Sequence, residues 1–149
     1  MTSALELLRP STVARAQVPR STDVALRALR ESFRRAAEED VTGPVVTALY
    51  VLVRPDQDPA ARLALARAAA GRAGYAVAEV LVEETGTDDP VLRPRLAYAL
   101  TAMRQRALHG LVAVSRADVS PYDGPYESVL RSLRSAGGFL HLDRDETRL

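Results

Sequence analysis

The chain has 149 residues, no cysteine, and a net charge of +1 from 20 basic and 19 acidic side chains. This length corresponds to one domain with a short appendage. The lack of cysteine excludes disulfides, thiolate zinc sites and cysteine nucleophiles. The near-neutral charge excludes the long-range attraction to nucleic acid that a strongly basic domain has.

Composition also bears on source and location. All 20 basic residues are arginine, which is typical of a high-GC bacterial genome. No apolar run approaches the roughly 20 residues of a membrane span. The apolar stretch at residues 4–8 is too short for a signal peptide and contains Glu6. We therefore expect a cytoplasmic protein with no membrane partner.

The first 44 residues form an N-terminal extension with one predicted helix. Residues 1–22 combine Pro10 and Pro19 with scattered arginines and are expected to be loosely structured. Thr22 or Asp23 can cap a helix that runs to about residue 40. Its apolar stripe is formed by Ala25, Leu29 and Phe33.

A second face of this helix is basic. The arginines of that face are diluted by neighbouring acidic residues, so we expect it to be solvated rather than bound to DNA. The arginines are Arg27, Arg30 and Arg34, and the acidic residues are Glu31, Glu38 and Glu39.

Residues 45–149 alternate between predicted strands and helices. The predicted strands lie at residues 45–53, 76–82, 110–114 and 139–142. One predicted helix begins at Asp58-Pro59, and two more cover residues 92–103 and 126–133. This order predicts an α/β domain of three layers, with a mostly parallel sheet of about four strands flanked by helices. Binding sites in such sheets lie beyond the carboxyl ends of the strands, here residues 54–58, 83–93, 115–122 and 143–146.

Common cofactor motifs fail at these positions. Residues 54–58 contain no glycine, which excludes a dinucleotide-binding turn, and a chain without lysine cannot form a Walker loop. His109 and His141 are far apart in sequence, and for His109 we favour a role at a helix end over metal ligation. The acidic residues at 83–89 are expected to form a solvated loop. We therefore expect no metal and no cofactor.

Several ordered motifs resemble the catalytic domain of the serine recombinases, the resolvases and invertases. The family's first strand reads Tyr-x-Arg-Val-Ser, and later motifs read Gly-Tyr/Trp-x-Val, Glu-x-x-Ser-Gly and Arg-Pro-x-Leu. The matching pieces here are Tyr-Val-Leu-Val-Arg-Pro-Asp-Gln at 50–57, Gly-Tyr-Ala-Val at 74–77, Glu-Glu-Thr-Gly at 83–86, Arg-Pro-Arg-Leu at 93–96 and Gly-Leu-Val-Ala-Val at 110–114. The resemblance implies a resolvase-like fold.

The departures from the family fall on its chemistry. The resemblance implies a serine that attacks a DNA phosphate and arginines that offset the charge of the transition state. Arg54 stands at the serine position and Leu52 at the first arginine position. Asp118 and Pro121 replace two further arginines, and Arg93 is retained. We expect Asp118 to repel a phosphate, so the resemblance favours a protein without recombinase activity.

Other serines do not restore this chemistry. Arg-Pro-Ser-Thr at residues 9–12 resembles the family's Arg-Val-Ser-Thr, but no strand–helix–strand pattern follows, so Ser11 receives no catalytic role. Ser115 and Ser120 follow the third strand, where turn hydrogen bonds are the expected role. We also expect neither the family's long dimerisation helix nor its DNA-binding domain in this chain.

Three functions remain open. The first is a non-catalytic, resolvase-like module that binds a protein partner or itself. The second is a DNA- or phosphate-binding protein in which Arg54, Arg93 and Arg116 hold the anion; ordinary ion pairs with Asp56, Asp88 or Asp118 are the competing explanation for these arginines. The third is an enzyme of different chemistry on the same scaffold.

Overall fold

The computed structural model describes residues 21–84 and 89–148. Residues 1–20 of the segment expected to be loosely structured, including Ser11, and residues 85–88 of the predicted polar loop lie outside this part. The helices are α1 (Ser21–Glu39), α2 (Ala60–Ala73), α3 (Pro94–Arg104) and α4 (Asp123–Ser135). The strands are β1 (Val46–Val53), β2 (Ala76–Glu84), β3 (Gly110–Ala113) and β4 (Phe139–Leu142), and short 3₁₀ turns cover Pro90–Leu92 and Arg116–Asp118.

The four strands form one sheet in the order β2-β1-β3-β4, and each neighbouring pair is parallel. β1 and β3 are central, and all four residues of β3 are buried. Uninterrupted apolar runs such as these are typical of strands that are covered on both faces. The predicted α/β architecture is therefore confirmed.

Alternate residues of the central strands point into two apolar clusters. Tyr50 and Leu111 belong to the larger cluster, which also contains buried residues of α1, α3 and α4. Leu49 and Val112 belong to the smaller cluster, on the side of α2. Because side chains alternate along a strand, this division gives a helix–sheet–helix sandwich. Within the described ranges, no helix is long and apolar enough to cross a membrane.

Two predicted boundaries move at the carboxyl end of β2. The strand continues to Glu84, so Glu83 lies buried in the sheet and not in a polar loop. The next helix begins only at Pro94, because Arg93 is held in an extended conformation before a proline. Leu92 therefore lies in the preceding 3₁₀ turn and is 66% exposed, instead of facing the core.

Helix α1 packs along β4 and α4 and places one arginine in the protein interior. Arg30 is 2% exposed, and its Nε and Nη2 donate to the carboxylate of Glu146 at 2.5 and 3.2 Å. The Tyr126 hydroxyl donates to the same carboxylate at 2.6 Å. The expected solvated face is therefore wrong for Arg30, because the segment after β4 returns beneath α1. It holds for Arg27, whose side chain is 43% exposed.

Gly110, at the start of β3, allows the close approach of β4. It is paired with Phe139, and a methyl carbon added at Gly110 would lie 2.5 Å from the Phe139 ring. That is far inside van der Waals contact, so the ring occupies the space that any larger residue would need.

Candidate functional site

The carboxyl ends of β1 and β3 meet where the chain changes direction across the sheet. From β1 the chain crosses to β2 on one side, and it then returns to β3 on the other side of β1. In open parallel sheets this switch point forms the crevice in which ligands bind. Two of the four segments predicted to carry a site, those that follow β2 and β3, contribute side chains to the contacts at this edge.

Asp118 occupies this crevice with its carboxylate. Oδ1 accepts a hydrogen bond from the backbone N–H of Leu52 at 3.0 Å, and Oδ2 accepts from the backbone N–H of Val114 and Ser115 at 3.0 and 3.3 Å. Arg62 of α2 donates to both carboxylate oxygens, at 3.1 and 2.8 Å. Asp118 is 1% exposed, so it joins β1, β3 and α2 in a buried polar contact.

This arrangement has the chemistry of an anion site. Converging backbone N–H groups and an arginine stabilise negative charge, and hydrogen bonds to an ionised group are stronger than neutral ones. Here the anion is the protein's own carboxylate. We expected Asp118 to repel an anion or to pair with one of the three candidate arginines. Its side chain instead pairs with Arg62, a residue that no sequence motif had indicated.

Arg93 lies beside this contact in a buried chain of polar groups. Its Nη1 donates to the main-chain oxygen of Asp118 at 3.1 Å and to the Tyr50 hydroxyl at 3.4 Å. The Tyr50 hydroxyl donates to Oε1 of Glu83 at 3.0 Å. Burial raises the pKa of Tyr50, and Arg93 opposes that rise, so Tyr50 stays protonated at neutral pH and separates the two charges.

Glu83 also caps the helix that follows. Its Oε2 accepts from the backbone N–H of Arg95, and its Oε1 accepts from that of Leu96, both at 3.1 Å. These N–H groups lie in the first turn of α3, where an anion is favourable. The buried carboxylate of Glu83 thus accepts three hydrogen bonds from within the protein. The described residues contain no group of three or more potential metal ligands.

One polar atom of Arg93 is left without a partner. The side chain is 2% exposed, and its Nε is buried with no hydrogen bond among the described residues. An unsatisfied buried donor usually costs about 1–3 kcal/mol. Such an atom marks a position at which a bound acceptor would be stabilised.

Arg116 is buried but is turned toward a different set of partners. Nη1 donates to Asp23 of α1 at 3.2 Å, and Nε donates to the main-chain oxygen of Ser120 at 3.3 Å. Nη2 lies 3.0 Å from Asp123, close enough for an ion pair but without hydrogen-bond alignment. The guanidinium also lies 4.6 Å from the centre of the Tyr126 ring. Arg116 therefore holds α1 against the start of α4.

Arg54 is exposed and ends β1 in a turn. Its backbone N–H donates to the side chain of Gln57 at 3.2 Å, and its main-chain oxygen accepts from the backbone N–H of Gln57 at 3.0 Å. Within the described ranges its guanidinium has no ion pair. Arg116 begins the 3₁₀ turn Arg116–Asp118, and Arg93 contacts the last residue of that turn, so the two arginines have separate partners. Arg54 shares no described contact with either of them.

The remaining candidates have structural roles. Ser115 accepts from the backbone N–H of Ala117 at 3.2 Å, and Ser120 accepts from that of Tyr122 at 3.1 Å, which confirms the expected turn hydrogen bonds. The proposed helix-end role of His109 is wrong. Its Nδ1 accepts from the backbone N–H of Val46 at 2.9 Å, because His109 immediately precedes β3 and extends its pairing with β1.

The role of Asp118 had a local signal in the sequence. Ser115 and Asp118 form a capping box around the 3₁₀ turn, and Ser-x-x-Asp is a recognisable capping pattern. The pairing of Asp118 with Arg62, 56 residues earlier, has no such signal. Only the packing of α2 against the central strands brings the two together.

Comparison with known proteins identifies a shared fold. No family model and no curated protein matches the chain. Among solved structures, the C-terminal catalytic domain of ISC1926 TnpA, an IS607-like serine recombinase, matches with a TM-score of 0.58 and 16% sequence identity. The match covers 67% of this chain and 68% of that one. At this identity the comparison concerns architecture, so we conclude that the chain has the resolvase-like fold of a serine recombinase catalytic domain.

Proposed function

We propose that this protein is a resolvase-like module that does not carry out strand transfer and that acts by binding a protein partner or a second copy of itself. The observation that carries the proposal is the position of Asp118. Its carboxylate uses the backbone donors of Leu52, Val114 and Ser115, which lie at the switch point. A phosphate entering there would have to displace a buried, hydrogen-bonded carboxylate of the same charge.

Two further features support this proposal. Arg54 stands where the resemblance places the nucleophile, and Leu52 stands where it places an arginine. Arg116 is held by ion pairs to Asp23 and Asp123 and is therefore engaged within the protein. Charge stabilisation of a phosphoryl transition state requires donors aimed at the reacting group. Here Arg116 and the Nη1 atom of Arg93 donate to groups within the protein.

A covalent-adduct assay tests the lack of strand transfer. The full chain is incubated with supercoiled plasmid, quenched with denaturant and examined for DNA-linked protein and for nicked or linear plasmid. We expect neither product. Cleavage that disappears in a Ser115→Ala or Ser120→Ala variant would show a working nucleophile and would overturn the proposal.

The Arg54→Ser variant sharpens this assay. It places a serine at the position of the family's nucleophile while leaving Asp118 and Leu52 unchanged. We expect it to remain inactive, because a nucleophile alone does not supply the missing charge stabilisation. If Arg54→Ser formed an adduct, the rest of the site would be competent and the Asp118 argument would be wrong. Sedimentation velocity over a range of protein concentrations separately tests self-association.

The second candidate function is phosphate or DNA binding through Arg54, Arg93 and Arg116. It is favoured by the unpaired, buried Nε of Arg93 and by the exposure of Arg54. Binding of labelled duplex DNA is measured by fluorescence anisotropy at low and at physiological salt, since phosphate contacts strengthen as salt falls. Binding that Arg54→Gln and Arg93→Gln weaken, but that Arg67→Gln on the exposed face of α2 does not, would favour this function over the first.

A further inference from the structure

An apolar groove lies between α3 and α4, away from the switch-point contact. Two adjoining hollows of about 130 and 370 Å³ share the same walls. The floor is formed by α3 and α4, and one side is closed by the 3₁₀ turn before α3. The lining residues that matter here are Pro90, Val91, Leu96, Leu100, Pro125 and Val129.

The rim of this groove exposes large apolar side chains. Val91 is 80% exposed and its neighbour Leu92 is 66% exposed. Their position is fixed, because Pro90 and Pro94 bracket the turn and prevent it from joining α3. A preformed apolar groove with an apolar rim is the usual form of a site that accepts an amphipathic segment.

The structure places the start of α1 close to this groove. Asp23 of α1 and Asp123 of α4 both contact the guanidinium of Arg116, so the first turns of the two helices are neighbours. Pro125, in the first turn of α4, already lines the groove. The start of α1 at Ser21 therefore lies about one helix away from the groove.

The preceding segment has the composition that the groove requires. Ala4, Leu5 and Leu8 recur at the i, i+1 and i+4 spacing of one helix face, and Ser3 with Glu6 matches a capping box. Twelve residues separate Leu8 from Ser21, and in extended form they reach about 40 Å. That reach exceeds by far the roughly 10 Å width of the helix to be crossed.

We propose that residues 3–8 dock in the α3–α4 groove of their own chain, with Leu5 and Leu8 against Val91 and Val129. This inference does not depend on whether the protein transfers DNA strands. It assigns the groove an internal apolar occupant, which any competing partner would have to displace.

Disulfide trapping tests the proposal in the full chain, which contains no native cysteine. Leu8→Cys is combined with Val91→Cys and oxidised at low protein concentration. A disulfide requires the two Cα atoms to approach within about 7 Å. We expect an intramolecular crosslink to form about tenfold faster than in a control that combines Leu8→Cys with Leu65→Cys. Leu65 is 39% exposed on α2, on the opposite side of the sheet.

A third variant checks that apolar contact is responsible. Adding Leu5→Asp to the Leu8→Cys and Val91→Cys pair should lower the crosslinking rate to that of the Leu65 control. Val91 is 80% exposed, so its replacement should leave the fold unchanged, which circular dichroism checks for every variant.

Three results would overturn the proposal. Equal rates for the Val91 and Leu65 pairs would mean that residues 3–8 have no preferred site. Disulfide-linked dimers formed faster than the intramolecular product would assign the groove to a second copy. An unchanged rate after Leu5→Asp would show that apolar docking does not position Leu8.

Discussion

At the scale of single residues, Asp118 connects the two central strands through its side chain. A carboxylate can accept from several N–H groups at once, whereas an amide presents one acceptor and one donor group. In Asp118→Asn, an amide N–H would therefore face donors on either side. Leu52 and Arg62 donate to one oxygen, and Val114, Ser115 and Arg62 donate to the other. We expect a loss of about 1.5–3 kcal/mol in the free energy of unfolding, the usual range for hydrogen bonds to a charged group.

Urea denaturation measures this loss as a shift of the midpoint at constant slope. Asp56→Asn is the matched control, because Asp56 is exposed in the turn after β1. If both variants unfolded at the same urea concentration, the carboxylate of Asp118 would not be what holds the strand ends together.

The lowered pKa of His141 leads to a prediction of how stability depends on pH. Burial lowers its pKa from the ordinary 6.5, and the charges of Arg30 and Arg34 lower it further, although Glu31 and Glu38 act in the opposite direction. The unfolded chain therefore takes up this proton at a higher pH than the folded chain. The contribution of His141 to stability is complete above about pH 6.5 and is lost as the pH falls through that value toward the folded pKa.

His141→Phe should flatten this dependence. The Nδ1 atom of His141 is buried with no hydrogen bond among the described residues. Replacing the imidazole with a phenyl ring therefore breaks no hydrogen bond at Nδ1. Urea midpoints are compared at about pH 7.5 and about pH 5 for both proteins. Equal losses of stability on acidification in both would assign the pH dependence to other groups.

At the scale of whole elements, α1 is held to the domain by charge as well as by apolar packing. The packing comes from the buried Leu26 and from the half-buried Leu29 and Phe33 of the predicted stripe, whereas Ala25 of that stripe is exposed.

Replacing Glu146 with Gln removes the buried carboxylate that Nε and Nη2 of Arg30 contact, and leaves the part-exposed Glu31, 3.2 Å from Nη1, as its acidic partner. Breaking a buried pair from one side costs about 3–5 kcal/mol. We expect Glu146→Gln to lower the melting temperature clearly, as measured by calorimetry.

The neighbouring pair between α1 and the same C-terminal segment provides the control. Arg27 and Asp145 lie 3.4 Å apart, and both side chains are about one third exposed or more. Exposed pairs of this kind contribute about 0–1 kcal/mol. Arg27→Ala should therefore change the melting temperature little. Similar effects of the two variants would mean that burial does not distinguish the pairs.

The contact between β3 and β4 depends on the absence of a side chain at one position. Gly110→Ala would place a methyl group against the ring of Phe139. Forcing extra carbon atoms into a packed core costs about 1–3 kcal/mol. The loss should be partly recovered in the double variant with Phe139→Leu, as measured by urea denaturation.

Gly124 is the matched site for this substitution. It lies in the first turn of α4, and an added methyl carbon would meet no atom within 4 Å. Gly124→Ala is therefore expected to be neutral or stabilising by up to about 1 kcal/mol. If Gly110→Ala were equally well tolerated, β4 would be able to move away from β3.

At the scale of the whole molecule, sequence patterns predicted the layers of the fold but not its internal charge pairs. β1 and β3 were predictable because their apolar runs are continuous, and α4 was predictable because Tyr126, Val129, Leu130 and Leu133 repeat with a helical period. Periodicity treats arginine as a surface residue, so it could not predict that Arg30 is buried. Such burial depends on Glu146, which reaches α1 only in the folded chain.

The candidate site was predictable in location but not in content. The rule for parallel sheets pointed to the strand ends, and the buried contacts of Asp118 lie there. Glu83 was expected in a solvated loop, and Asp118 was expected to repel a bound phosphate, because acidic residues near a turn usually face water. Their burial is explained by backbone donors and arginines that come from other elements, and those contacts arise from tertiary packing.

The separation between Arg30 and Glu146 has a consequence for the order of events during synthesis. The two residues are 116 positions apart, with Arg30 made first. At typical translation rates of about 5–20 residues per second, roughly 6–23 s pass before Glu146 is synthesised. We therefore expect α1 to remain undocked on the ribosome while the strands assemble, and to close over β4 only after the last strand and Glu146 have been synthesised.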